Sequence, residues 1–145
     1  MSDRITVTLH ELVSAMDSYA DDYLRRHHGV GYNLFSVLAA LVELAPLDIS
    51  QLARALRISK AAVSKRVPAL VAGGWVLTQP DVGRRIRLSP SESAISLVRD
   101  AGARLEAEFA SVFVSSADAE GDLSVPLLNA RLIALTRLLE QKERP

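Results

Sequence analysis

The middle of the chain holds two short helical segments joined by the tight turn RIS, residues 57–59. Asp48 and Gln51 form a D-x-x-Q capping box at the head of SQLARAL, which buries Leu52, Ala53 and Leu56 as a short helix. Ser59 caps a second helix that carries Val63, Val67 and Leu70 inward and stops at Gly73-Gly74. Helices this short are marginal on their own in water, so each needs the other and a neighbouring surface. The pair reads as a helix-turn-helix.

The flanking sequence is helical except at one place. Ile5, Leu9, Leu12, Met16, Tyr19 and Tyr23 recur at alternating steps of four and three, an apolar seam that fits a helix and not a strand. Thr8 and Glu11 supply a capping box near its start, and GVG at 29–31 ends it. Asn33 is then expected to cap a helix with Leu34, Leu38, Leu41 and Val42 inward, stopped by Pro46. After the glycines, WVLTQ and RRIRL are strand-like, and PDVG between them has turn chemistry, so a hairpin is expected with Arg84, Arg85 and Arg87 on it. Ser89, Pro90 and Glu92 look like the N-cap, first residue and capping glutamate of a long helix with the stripe Ile95, Val98, Leu105, Phe109 and Val112. SSADAEGD, 115–122, has linker composition. A last helix from Leu123 to Lys142 places Val125, Leu128, Leu132, Leu135 and Leu139 on one seam. The expected fold is mainly α with one small β-hairpin, organised as one structural domain of 145 residues.

Charge is distributed unevenly along the chain. The formal net charge is zero, yet residues 49–88 hold eight cations against the single anion Asp81, a net of +7, and the remainder carries −7. A basic island in an acidic frame is the footprint of one surface that meets a polyanion. The helix-turn-helix lies inside that island. An α-helix fits the major groove of B-DNA, with the first turns of the second helix facing base edges. Ser59, Lys60, Ala61, Ala62, Ser64, Lys65 and Arg66 occupy those turns. The alanines permit close approach and suit thymine methyls, the polar side chains supply donors, and Arg66 is the expected bidentate partner of guanine. Arg84 and Arg85 at the hairpin tip, with Arg87 behind them, are placed to enter the minor groove, Arg84 first.

The stretch LDISQLARALRISKAAVSKRVPALVAGGWVLTQPDVGRRIRLS resembles the winged helix-turn-helix of MarR-type transcriptional regulators, and the flanking helices follow the order of that family over nearly the whole chain. The resemblance implies a winged helix-turn-helix at 31–89, a linking helix at 90–114 and dimerisation helices at 1–30 and 115–145. It also implies a homodimer that binds a pseudo-palindromic operator on double-stranded DNA and is released by a small organic effector, in most cases a repressor. The seams supply a physical reason for dimerisation through Ile5, Leu9, Leu12 and Met16 with Leu128, Leu132, Leu135 and Leu139. An effector pocket is expected where the linking helix meets the winged region, with Tyr19, Tyr23, Tyr32, Phe35, Trp75 and Phe109 as its aromatic lining and Phe113 nearby. The sequence departs from the family twice. Its wing is shorter, with Asp81 three residues before Arg84, and Pro68 interrupts the second half of the recognition helix.

Other functions find less support. Without cysteine there are no disulfides, thiolate metal sites or thiol-based sensing. His27 and His28 are adjacent and project about 100° apart on a helix, which does not chelate a metal as an i, i+4 pair does. No phosphate loop, nucleophile motif or carboxylate pair indicates an enzyme, and no cofactor is expected. The first residues do not form a secretory signal, and no apolar run approaches the roughly 20 residues of a membrane span, so a cytoplasmic protein without a membrane partner is expected. The competing reading is a winged-helix module that uses the same face to bind protein instead of DNA.

Overall fold

The computed structural model describes residues 3–115 and 124–143. The chain divides into two compact units, residues 1–103 and 104–145. Among the described residues there are six helices and one two-stranded sheet.

The first unit opens with α1 (Ile5–His28), which ends where Gly29 adopts a left-handed φ of 67°. The expected capping box at Thr8 is not formed. The helix is already under way at Ile5, and the Thr8 hydroxyl instead donates back to the Arg4 carbonyl at 3.3 Å. In α2 (Tyr32–Leu44) the N-cap is Gly31, not Asn33, which lies inside the first turn. Asp21 of α1 does the capping from outside, its carboxylate accepting from the Tyr32 N–H at 2.8 Å. Phe35, Val37, Leu38 and Leu41 form the buried face of α2, while Leu34 and Val42 are only half-buried. The helix ends at Leu44, two residues before Pro46, as the proline requires.

α3 (Ile49–Leu56) and α4 (Lys60–Ala72) follow the sequence closely. Asp48 accepts from the Gln51 N–H at 2.8 Å and Gln51 returns the contact to the Asp48 N–H at 2.9 Å, so the capping box is complete. The turn bends through Arg57 in the left-handed region, and Ser59 accepts from the Ala62 N–H at 3.1 Å. Val63, Val67 and Leu70 anchor α4, whereas Val71 is exposed. Gly74, with φ 75°, turns the chain out of α4 at a position where a side chain would be strained.

The hairpin pairs β1 (Val76–Pro80) with β2 (Ile86–Pro90) antiparallel, in the register Val76↔Pro90 to Pro80↔Ile86. Both strands lie later than expected. Trp75 is still engaged with the end of α4, its N–H bonding the Leu70 carbonyl, and the loop needs five residues because the Asp81 N–H closes onto the Arg85 carbonyl. A further bridge joins Leu47, just before α3, to Leu88 through two backbone hydrogen bonds of 3.2 and 2.8 Å. It fixes the base of the hairpin against the helix-turn-helix.

α5 (Glu92–Ser115) begins later than expected. Ser89 and Pro90 belong to β2, and Ser91 is the residue whose side chain accepts from the Ala94 N–H. Its buried residues are Ala94, Leu97, Ala101 and Leu105; of the expected stripe Leu105 is buried, Val98 and Phe109 are half-buried, and Ile95 and Val112 are 41% and 62% exposed. The core of the first unit contains no buried polar or charged side chain among the described residues, and Leu24, Leu38, Leu41, Leu52 and Leu88 are wholly enclosed. Each such leucine contributes about 1.5–3 kcal/mol through burial.

The second unit contains the end of α5 and α6 (Val125–Lys142), which is capped by Ser124 with Pro126 in its first turn. The expected linker at 115–122 lies outside the described residues apart from Ser115, as does Leu123. α6 has no buried residue: Val125 and Leu128 are half-buried, and Leu132, Leu135 and Leu139 are exposed. In α1, Ile5 and Leu12 are exposed and Leu9 and Met16 half-buried. None of the described helices is long and apolar enough to cross a membrane.

Candidate nucleic-acid interface

Packing decides which side of α4 can meet a ligand. Because Val63, Val67 and Leu70 face inward, Lys60, Ala61, Ser64 and Lys65 are left exposed on the opposite side, and Pro68 extends the same face. Ser59 is exposed at the cap and Ala62 is half-buried. The first N–H groups of α4 that have no carbonyl within the helix point out at this end, and such groups suit a phosphate oxygen.

Arg66 does not share that face. It is half-buried, and its Nη2 donates to the Asn33 carbonyl of α2 at 3.2 Å. The expected guanine contact would have required it to point with Lys65. Its position on the helix, one residue before the inward-facing Val67, turns it towards α2 instead.

The hairpin brings its arginines into two different environments. Asp81 accepts from the Val82 N–H at 2.8 Å and from Arg87 Nε at 3.2 Å, so Arg87 braces the loop from within. The Val82 N–H and the neighbouring Arg87 and Arg85 charges hold the Asp81 carboxyl below its ordinary range, against a smaller opposing effect of burial. Gly83, with φ 74°, allows the tight loop that carries Arg84 and Arg85 outward.

These pieces meet in a cleft of about 440 Å³, lined by Asp48 and the first turn of α3 with Arg54, by Lys60 of α4, and by Arg84, Arg85 and Ile86 of the hairpin. Four cations from three elements thus line one concavity. Arg54 belongs to the basic island, but nothing in its sequence position places it at the site; the packing of α3 against α4 and β2 brings it here.

The aromatic residues expected to line an effector pocket have varied surroundings. Tyr32 borders a cavity of about 560 Å³ with Asp17, Asp21, Arg25 and Asn33. Burial, then Asp17, raises the pKa of its hydroxyl. Tyr23 packs against His27 with ring centroids 4.6 Å apart and the rings tilted by 38°, and Tyr19 is exposed. Phe35 belongs to the core, Trp75 is half-buried against Gly73, and Phe109 and Phe113 are half-buried residues of the second unit. Among the described residues no three acidic or histidine side chains gather as a metal site.

Comparison with known proteins bears on the fold. Residues 28–91 match the model of the MarR family. No curated protein matches the chain. Among solved structures, the chain is similar to the MepR–DNA complex of S. aureus, at 19% identity and a TM-score of 0.75, over 98% of this chain and 100% of that one. It is similar to CouR from Rhodococcus jostii bound to p-coumaroyl-CoA, at 19% identity and a TM-score of 0.74, over 94% and 91%. It also resembles the oxidized form of MarR from E. coli, at 16% identity and a TM-score of 0.68, over 96% and 97%. Residues 28–91, which form the winged helix-turn-helix, are thus similar to the MarR family of transcription regulators, and the fold over nearly the whole chain is that of solved proteins of that family.

Proposed function

We propose that this protein is a sequence-specific regulator of transcription that binds double-stranded DNA as a homodimer on a pseudo-palindromic operator, in the cytoplasm, and that a small organic effector releases it. The observation that carries this reading is the cleft in which Arg54, Lys60, Arg84 and Arg85 converge beside the exposed face of α4. In this reading Lys60, Ala61, Ser64 and Lys65 face base edges in the major groove, Arg84 and Arg85 reach the neighbouring minor groove, and Arg54 holds backbone phosphate. Repression is the expected sign of regulation, because an operator covered by a dimer excludes other proteins.

The homodimer is supported by the apolar faces of α1 and α6, where Ile5, Leu12, Leu132, Leu135 and Leu139 are exposed in a single chain. The effector is supported by analogy with CouR, whose structure holds p-coumaroyl-CoA. Tyr32, beside its cavity, is the aromatic residue of this chain best placed to meet one.

Titration with duplex DNA at several salt concentrations tests the reading. Contacts to several phosphates give a steep negative slope of log K against log salt, about −0.9 for each phosphate neutralised. A flat slope, or no binding at low salt, would sink the DNA reading in favour of a protein partner for the same face.

A further inference from the structure

Arg66 and the turn at the head of α2 carry an inference that rests on the DNA-binding reading but assigns a different task. We propose that Arg66 is a positioning residue: it fastens the groove-facing helix α4 to the first turn of α2, while the Asp21–Arg25 pair of α1 fastens the other side of that turn, so that α1 and α4 are coupled through residues 31–33.

The geometry of the two grips is explicit. On the α1 side, the Asp21 carboxylate accepts from Arg25 Nε at 2.7 Å with one oxygen and from the Tyr32 N–H at 2.8 Å with the other. The chain passes close beneath this pair at Gly31. A Cβ there would lie 2.9 Å from Arg25 Nη2 and 3.3 Å from Asp21 Oδ1, so a side chain at this position would have to displace the end of the flexible Arg25 side chain. On the α4 side, Arg66 Nη2 donates to the Asn33 carbonyl at 3.2 Å. Tyr32 and Asn33 are adjacent, so one held N–H and one held carbonyl belong to the same helical turn.

Charge and burial agree with this division of labour. Lys65 and Ser64 are exposed beside Arg66, while Arg66 itself is half-buried against α2. Hydrogen bonding to Arg25 and then to the Tyr32 N–H lowers the Asp21 pKa, as expected of a carboxylate that accepts both contacts. A displacement of α1 at Asp21 therefore moves the turn, and the turn moves the helix that Arg66 ties to it. The direction a base reader needs is not available to a guanidinium held at Asn33.

The test uses the full-length protein with Arg66→Met, Arg66→Lys and Asp21→Asn, and the double variant Asp21→Asn/Arg66→Met. Duplexes enriched from a random library by the native protein serve as the probe. Loss of a charge-assisted hydrogen bond predicts that each of Arg66→Met and Asp21→Asn weakens binding on the order of tenfold, with the base-preference profile and the salt slope unchanged. The double variant should lose little more than the worse single one, because both act on one turn. Without DNA, hydrogen exchange in α4 should quicken in Asp21→Asn although Asp21 does not touch α4. Arg66→Lys, which keeps the charge and a donor, should fall between native and Arg66→Met.

Relaxed preference at one base position in Arg66→Met, or a salt slope shallower by about one, would make Arg66 a DNA contact and overturn the proposal. Additive losses, or unchanged α4 exchange in Asp21→Asn, would overturn it as well. If the native protein enriched no duplex, the DNA reading would fall on its own, and the exchange experiment would still decide whether α1 and α4 are coupled.

Discussion

Pro68 lies within α4, which continues helical to Ala72, and it is exposed. The proline removes the N–H that would meet the Ser64 carbonyl, and its ring crowds that carbonyl, a cost of roughly 3 kcal/mol in a helix interior. Exposure lowers the cost by letting water reach the carbonyl, and the stiffer unfolded chain offsets about 0.4–1 kcal/mol of it. Pro68→Ala is therefore expected to stabilise the protein by roughly 1–2 kcal/mol, read as a higher melting temperature; an unchanged or lower one would count against the strain. A second residue-scale expectation concerns Asp81. Its folded pKa is depressed below the ordinary 3.8, so the stability it contributes is present above that value and is lost as pH falls through the lower folded one. Melting temperature measured below pH 4 should fall more steeply in the native protein than in Asp81→Asn, with the difference between the two constant at neutral pH. Parallel acid profiles would contradict this. Residue roles set by near neighbours were legible in the sequence, as the caps at Asp48 and Ser59 demonstrate. The direction of Arg66 was not, because its partner Asn33 is 33 positions away.

Among the elements, α5 shows most clearly how a stripe can be misread. The expected stripe held at Leu105, but towards the start of the helix it pointed to Ile95 and Val98, where the enclosed positions are Ala94, Leu97 and Ala101. Alanine is uninformative in a periodicity count, yet it occupies the places where a helix approaches its neighbours most closely. Ala101→Leu should thus overpack the first unit and cost about 1–3 kcal/mol in urea unfolding, whereas Ile95→Ala should cost well under that. The reverse ranking would restore the stripe expected from sequence. The start of α5 was displaced for a related reason: the S-P-x-E pattern is a valid local signal, but Pro90 pairs with Val76 in the sheet, so the cap passes to Ser91. The bridge between Leu47 and Leu88 was invisible in advance, since it depends on two segments brought together only by the fold.

For the molecule as a whole, the order of helices and hairpin was fully legible, because seams, caps and glycine stops each recur within a few residues. What the single chain leaves unsatisfied is the apolar face of α6, where Leu135 and Leu139 are 51% and 63% exposed. Removal of residues 124–145 should abolish dimerisation, measured by sedimentation, and with it tight binding to a two-fold symmetric duplex; a truncated protein that remained dimeric would refute the role given to this helix. The candidate interface was legible as a charge island, while its concave form was not, since three elements must fold before Arg54, Lys60, Arg84 and Arg85 share one cleft. That gathering also bears on how the molecule moves before any contact is made. A chain of zero net charge whose positive excess is concentrated in residues 49–88, with four of those cations lining one cleft, feels no average pull from a distant polyanion, but it experiences a torque. Within about 10 Å at ordinary ionic strength, it should turn its cleft towards the duplex before touching it, so salt should slow association even though the protein as a whole is neutral.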